Sequence, residues 1–256
     1  MSNTSLQSQP ATAGSRVLSV SDGSNAPQHT STSTEKTGAR FDDPLCYLGR
    51  AGTRLYSWWI ATIYPFAFLG NDLTVHYPFR LCRLSAHQIS IGNGVSLGKD
   101  AWLNTVGKDA GEVKIVIDDN CNIGARDIFS AKNSIVIERD VMIATSVLIQ
   151  DHHHAYEDIT RPISEQGVTP GGRIRIGKGC WIGQGAAIVC NEGELLIGAN
   201  SVISSNALVT RSCPPHSVIV GNPGRLARQF SPAKGVWVGG EAGRATAPEQ
   251  QVIRSQ

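Results

Sequence analysis

Three consecutive histidines, His152, His153 and His154, stand between Asp151 and the acidic pair Glu157 and Asp158 in the run QDHHHAYEDITRP. A histidine near neutral pKa can take a proton from a hydroxyl and return it later. Such a base needs a carboxylate or carbonyl to fix its tautomer, and Asp151, Glu157 and Asp158 are the candidates. Three histidines could instead bind a metal. Successive side chains on an extended chain point to opposite faces, however, so at most two of the three converge easily. A solvated polar loop is the third reading. Titratable groups concentrated in one insertion favour a site.

That insertion interrupts a repeat. From Ile89 onward an aliphatic or aromatic residue recurs every six positions: Ile91, Leu97 and Leu103, then Ile117, Ile123 and Phe129, then Ile137, Ile143 and Ile149, then Ile176, Ile182 and Ile188, then Ile197, Ile203 and Val209. A period of six fits neither the 3.6 of a helix nor the alternation of a long strand. It fits a solenoid in which each hexad is a short strand plus a turn and three hexads close a triangular coil. Four positions after each repeat start, a small residue sits beside the tight corner: Val95, Ala101, Cys121, Val141, Val147, Cys180, Ala186, Ser201, Ala207 and Cys213. Asp127 breaks this rule, which predicts a distorted or functional turn. The register itself breaks at Asn104 to Val116, at Gln150 to Arg175 and at Asn191 to Leu196. Insertions leave a solenoid as loops on one face, often the binding face.

The chain has 256 residues, 41% of them hydrophobic and 17% charged, with a net charge of +2. That balance excludes the strong basic excess of a nucleic-acid binder. The 27 glycines argue against a helical bundle. Of six cysteines none forms a Cys-x-x-Cys pair, and Cys121, Cys180 and Cys213 occupy small-residue slots, where a free thiol acts as a small hydrophobe. The expected compartment is the reducing cytoplasm. Residues 1–40 are Ser/Thr-rich and poor in large apolar side chains, which predicts a disordered tail, and 231–256 is read as a C-terminal tail. Between the first tail and the solenoid domain at 73–230 lies a segment, 41–72, holding the uncharged block LYSWWIATIYPFAFL at 55–69. It is too short to span a bilayer and is interrupted by Pro65. It reads either as a helix or strand pair packed on the main domain or as a peripheral membrane contact, with Tyr56, Trp58, Trp59 and Tyr64 at the interface.

The repeats, the DHHHAYED loop, the IGKGCWIG segment and the closing PPHSVIVGNPGRLAR together resemble the hexapeptide-repeat acyltransferases, most of all the maltose, galactoside and polysaccharide O-acetyltransferase branch. The resemblance covers about residues 73–230. It implies an all-β fold, the left-handed parallel β-helix, an exception to the right-handed crossover rule. It further implies a homotrimer with active sites between neighbours, acetyl-CoA as co-substrate and no metal. His152 matches the family's catalytic base, with Asp151, His154 and Glu157 as possible support. Trp181 and Gly183 of Trp-Ile-Gly match the pantetheine channel, Thr210 and Arg211 a cofactor contact, and Arg225 and Arg228 the basic residues near the CoA phosphates. The fork of an arginine suits such an anion. Ser130, Lys132 and Asn133 are candidates for the acceptor pocket, since the Asn and Asp that sugar-acetylating members place there have no secure match.

The implied reaction is acetyl transfer from acetyl-CoA to a saccharide hydroxyl, in exopolysaccharide or other cell-surface glycan synthesis. Serine or amino-sugar N-acetylation on the same fold, and a non-catalytic scaffold, are the alternatives. A carbonic anhydrase of the same solenoid needs histidines on separate coils, including a pair five apart. His29, His76, His87 and His216 form none.

Overall fold

The computed structural model describes residues 44–107 and 111–239, with only the backbone of residues 44–46. Both the tail at 1–40 and the last 17 residues, 240–256, lie outside the described residues. Hexad after hexad folds as the period requires. Six coils of three short strands stack in register, and their strands form three parallel sheets, the faces of a left-handed β-helix.

Coil one holds β1 (Phe68–Leu69), β2 (Thr74–Val75) and β3 (Arg80–Leu81). Coil two holds β4 (Ile89–Ile91), β5 (Ser96–Leu97) and β6 (Trp102–Thr105). Coil three holds β7 (Ile115–Ile117), β8 (Asn122–Ile123) and β9 (Ile128–Ala131). Coil four holds β10 (Ser134–Ile137), β11 (Met142–Ile143) and β12 (Leu148–Gln150). Coil five holds β13 (Arg173–Ile176), β14 (Trp181–Ile182) and β15 (Ala187–Val189). Coil six holds β16 (Glu194–Ile197), β17 (Val202–Ile203) and β18 (Leu208–Val209). β19 (Ser217–Val220) adds to β17, and β20 (Arg225–Ser231) and β21 (Val236–Gly239) follow antiparallel.

The repeat-start aliphatics and the small-residue slots are buried together as one core along the axis. Two of the three corners are tight turns. A residue with positive φ stacks at each, from Gly94, Asn120 and Asp140 at one corner to Asp100, Gly185 and Asn206 at the other. Gly, Asn and Asp carry the smallest cost there. Arg126 takes the same conformation, so the turn before Asp127 is regular rather than distorted. Asp127 instead lies wholly inside the prism, in the slot its neighbours fill with small side chains.

The third corner, from the third sheet to the first, carries all three register breaks one above another: 106–114, 151–172 and 190–193. Stacked insertions at a single edge concentrate the irregular backbone where a binding face can form.

Two differences from the sequence boundaries have physical causes. The 41–72 segment is not one unit. A helix, α1 (Pro44–Ile63), ends just before Tyr64-Pro65, and the chain then enters coil one at Phe68. Coil one keeps the hexad pattern, since Leu69, Val75 and Leu81 stand in register with Ile91, Leu97 and Leu103, but the 3-10 turn Arg83–Gln88 breaks the period of six between them and the repeat that starts at Ile89. At the other end, β21 pairs with β20, so 231–239 is a hairpin rather than a tail.

Candidate functional site

His152 follows β12 directly, at the root of the longest insertion. The insertion leaves and returns as a short ribbon. The His153 carbonyl accepts from Thr169 N–H at 2.8 Å, Gly172 N–H donates to the Asp151 carbonyl at 2.6 Å, and His154 bridges Val168. Gly171 sits at φ +82°, and a Cβ there would meet the Asp151 carbonyl at 3.0 Å and Asn133 Nδ2 at 2.9 Å. Only glycine fits both the backbone and the space.

Asp151 is fully buried, and every neighbour of its carboxylate is a donor. Oδ1 accepts from Lys132 N–H at 2.7 Å and from His152 Nδ1 at 2.9 Å, while Oδ2 accepts from Asn133 N–H at 2.8 Å and Ser134 N–H at 2.9 Å. The three backbone donors come from the neighbouring turn between β9 and β10. This is the orienting arrangement a histidine base needs. With Nδ1–H bound to the carboxylate, Nε2 is the nitrogen left with a lone pair for a hydroxyl proton. His152 itself is buried, and Gln150 Nε2 donates to its carbonyl.

The other supporting candidates are placed differently. His154 is exposed, and Glu157 is exposed with Oε2 accepting from Tyr156 N–H at 3.0 Å. His153 stacks on Tyr156, with ring centroids 5.5 Å apart, and both its ring nitrogens are buried without a hydrogen-bond partner among the described residues. Asp158 caps its own loop through Thr160, whose hydroxyl and N–H hold its carboxyl below the usual range.

The three residues singled out for an acceptor pocket gather beside Asp151, and the side chains of two of them, Lys132 and Asn133, tie down the insertion. Lys132 Nζ donates to the Thr169 carbonyl, and Asn133 Nδ2 donates to the carbonyls of Pro170 at 3.0 Å and Gly172 at 3.2 Å. Ser130 Oγ accepts from Asn104 Nδ2 at 3.0 Å. A polar cavity of about 480 Å³ opens next to them, lined by Glu112, Lys114, Lys132, Asn133 and Arg173. Asn104, Gln150, Thr169 and Gly171 escaped the sequence reading. The Pro-Gly-Gly at 170–172 was a usable signal for the last of them.

Of the CoA candidates, Thr210, Arg211 and Arg225 line one groove of about 260 Å³ together with Ser212, Gly224 and Leu226. Arg228 lies further along β20, opposite Val218, and does not line it. Trp181 projects half-exposed from the second sheet between Met142 and Val202. Gly183 closes the following turn, where a Cβ would fall 2.5 Å from Ser205 N. The structure therefore brings together Asp151 and His152 and, separately, Thr210, Arg211 and Arg225.

Cys121 and Cys180 are buried, and burial pushes both thiols up to about 11. Their protonated Sγ–H groups donate to the carbonyls of Glu138 and Gly198. Among the described residues no three His, Cys, Asp or Glu side chains converge as a metal site requires.

No protein-family model matches the chain. It is 29% identical over 161 residues to Rv3034c of Mycobacterium tuberculosis, named a probable acetyltransferase, covering 63% of this chain and 49% of that protein. It is 25% identical over 155 residues to WbbJ of Escherichia coli K12, named for O-acetyl transfer in lipopolysaccharide biosynthesis, covering 58% of this chain and 76% of WbbJ. It is 29% identical over 143 residues to the galactoside O-acetyltransferase of the same bacterium, covering 53% of this chain and 64% of that enzyme. Thus the chain spans about half the length of the mycobacterial relative. Among solved structures, the Bacillus cereus N-acyltransferase AntD, bound to a dTDP-amino sugar and coenzyme A, shares the fold with a TM-score of 0.54 at 20% identity, over 67% of this chain and 87% of AntD. In sequence the chain is thus similar to acetyltransferases, and its coil architecture is that of AntD.

Proposed function

We propose that the protein transfers an acetyl group from acetyl-CoA to a hydroxyl of a saccharide, with His152 as general base. The observation that carries this reading is the Asp151–His152 pair at the root of the insertion. His152 Nε2 takes the proton of the acceptor hydroxyl as its oxygen attacks the thioester carbonyl carbon. The tetrahedral oxyanion collapses, the C–S bond breaks, and the thiolate takes the proton back from Nε2–H. CoA–SH and the acetyl ester leave, so the histidine ends as it began. Asp151 holds the ring and stabilises the imidazolium in between.

Trp181 and Gly183 stand on the pantetheine side. Thr210, Arg211 and Arg225 stand on the CoA phosphate side, with Arg228 as a more distant charge. The acceptor is a unit of a cell-surface glycan, as the WbbJ and galactoside relatives suggest. The working assembly is a homotrimer in the cytoplasm, with sites between neighbouring subunits and peripheral contact at a membrane.

The test is thiol release from acetyl-CoA over a panel of neutral sugars, amino sugars and glycan fragments, in wild type and His152→Ala. Turnover on a hydroxyl acceptor that falls at least ~100-fold in the variant, with CoA binding intact, supports the base assignment. Unchanged turnover would remove it. Turnover on amino sugars alone would replace O- by N-acetylation, and no CoA binding at all would leave a scaffold.

A further inference from the structure

A solenoid must close its two open ends, and soluble ones do so with caps whose outer face is polar. Here the first coil is closed by α1. Val75 N–H, on the open edge of β2, donates to Ser57 Oγ at 2.8 Å, and Ile60 is buried against the end of the core. Arg83 Nε closes the helix by donating to the Ile63 carbonyl at 3.0 Å. Tyr56 joins the collar of rings that fixes this end, edge-on to Tyr77 at 5.4 Å and stacked near Trp59 at 6.0 Å. The inner face of the helix is thereby spent on packing.

The outer face is the reverse of a soluble cap. Helical spacing lines up Leu48, Leu55, Trp58 and Trp59 opposite Ser57 and Ile60, and they are 70%, 66%, 63% and 44% exposed. Leu84, one residue after the arginine that closes the helix, is 85% exposed. From Pro44 to Ile63 the helix contains no acidic residue, while Arg54 flanks the stripe and Arg83 stands at its end. No helix among the described residues is long and apolar enough to cross a membrane. An acid-free amphipathic helix with tryptophan on one face and arginine at its flank is built to lie in an interface, apolar side down.

We infer that the outer face of α1 docks the protein end-on onto an anionic phospholipid bilayer, with Leu48, Leu55 and Trp58 entering the headgroup–acyl boundary and Arg54 and Arg83 meeting lipid phosphates. This narrows the membrane contact to one face of one helix and does not depend on the reaction. Residues 65–69 of the apolar block belong to the linker and coil one, outside the docking stripe. His152, on coil four, stands three strand spacings above the first coil, ~15 Å at ~4.8 Å each.

The experiment is flotation of the full chain with vesicles of phosphatidylcholine alone or with phosphatidylglycerol, for wild type, Leu55→Ser/Trp58→Ser and Arg54→Glu. Both altered faces are exposed, so thermal unfolding of the variants should match wild type. The expected result is flotation of wild type with the anionic vesicles, at least ~10-fold weaker in the double variant, and weaker in Arg54→Glu with less dependence on salt. Wild type that does not float with anionic vesicles, or a double variant that floats equally well, overturns the inference. So does a wild type that ignores vesicles while the double variant dissociates a larger assembly in light scattering, which would make the stripe an interface between copies.

Discussion

Asp151 and Asp127 are both completely buried carboxyls at corners of the same solenoid, one coil apart, yet their surroundings are opposite. Asp151 has four donors on its two oxygens: three backbone N–H groups and the imidazole of His152. For Asp127, Oδ1 accepts from Val147 N–H at 2.8 Å, and Oδ2 has no partner among the described residues. Burial drives the Asp127 carboxyl up to about 7, and the amides of Val147, Gly124 and Ser146 offset this only in part. An unsatisfied buried acceptor costs free energy, whereas a saturated one positions its neighbours. Burial alone therefore does not mark a functional acid. The donor set is what separates the two, and it is Asp151 that the proposed reaction uses.

The sharpest way to break the comparison is Asp151→Asn. An amide keeps one acceptor oxygen but turns an NH₂ toward backbone donors. At least one buried N–H then goes unpaired, at ~1–3 kcal/mol, and the imidazole loses its tautomer lock. Turnover should fall at least ~100-fold while the far-ultraviolet dichroism of the coils is retained. An Asn variant within ~3-fold of wild type would reduce Asp151 to an anchor for the loop.

What could be read beforehand divides along the same line. Period-six patterning exposed coils two to six, because the interior of a triangular coil admits only Ile, Leu, Val or Phe at Ile91, Phe129 and their equivalents. The Asp-His pair at 151–152 was legible because both residues are adjacent in sequence. The three backbone donors to Asp151 were not, since they belong to a turn 17–19 residues away that is brought close by the stacking of coils. For the same reason Lys132 and Asn133 read as pocket residues, while the fold uses their side chains to tie down the carbonyls of Thr169, Pro170 and Gly172. Coil one stayed hidden because its aliphatics, Leu69, Val75 and Leu81, are cut off from Ile91 by the irregular turn Arg83–Gln88, which breaks the period of six, and α1 because a stripe exposed on one side and packed on the other averages to a featureless apolar run.

Asp127→Asn tests the other half of the comparison. The folded-state value of about 7 lies above the ordinary aspartate value of 3.8. Between the two, the folded protein keeps a proton that the unfolded chain has lost, so this group's contribution to stability falls as pH rises through that window and is flat on either side. At ~1.4 kcal/mol per unit the change amounts to a few kcal/mol. Asn keeps the acceptor for Val147 N–H and does not titrate. Denaturant unfolding should show wild type losing stability from pH 5 to pH 7.5 relative to the variant, with turnover of the variant within ~2-fold. Identical pH slopes in the two proteins would mean that Asp127 stays ionised in the fold.

The smallest effect is expected where the two aspartates share a design, in the side chains that hold a corner in place. Asn133→Ala leaves the Asn133 N–H on Asp151 untouched and removes only the Nδ2 bonds to Pro170 and Gly172. Those two carbonyls sit beside Gly171, on the returning strand of the insertion, so their loss loosens the arm without changing the donors around the carboxylate. Two neutral hydrogen bonds at a partly exposed site are worth ~1–2 kcal/mol together. Amide exchange across residues 168–172 should quicken by about that amount. The maximal rate should drop ~3- to 10-fold with the KM for acetyl-CoA unchanged, because Thr210, Arg211 and Arg225 line a separate groove. A raised KM with an unchanged maximal rate would place Asn133 against the cofactor instead, and would separate the anchoring of the arm from the orientation of His152.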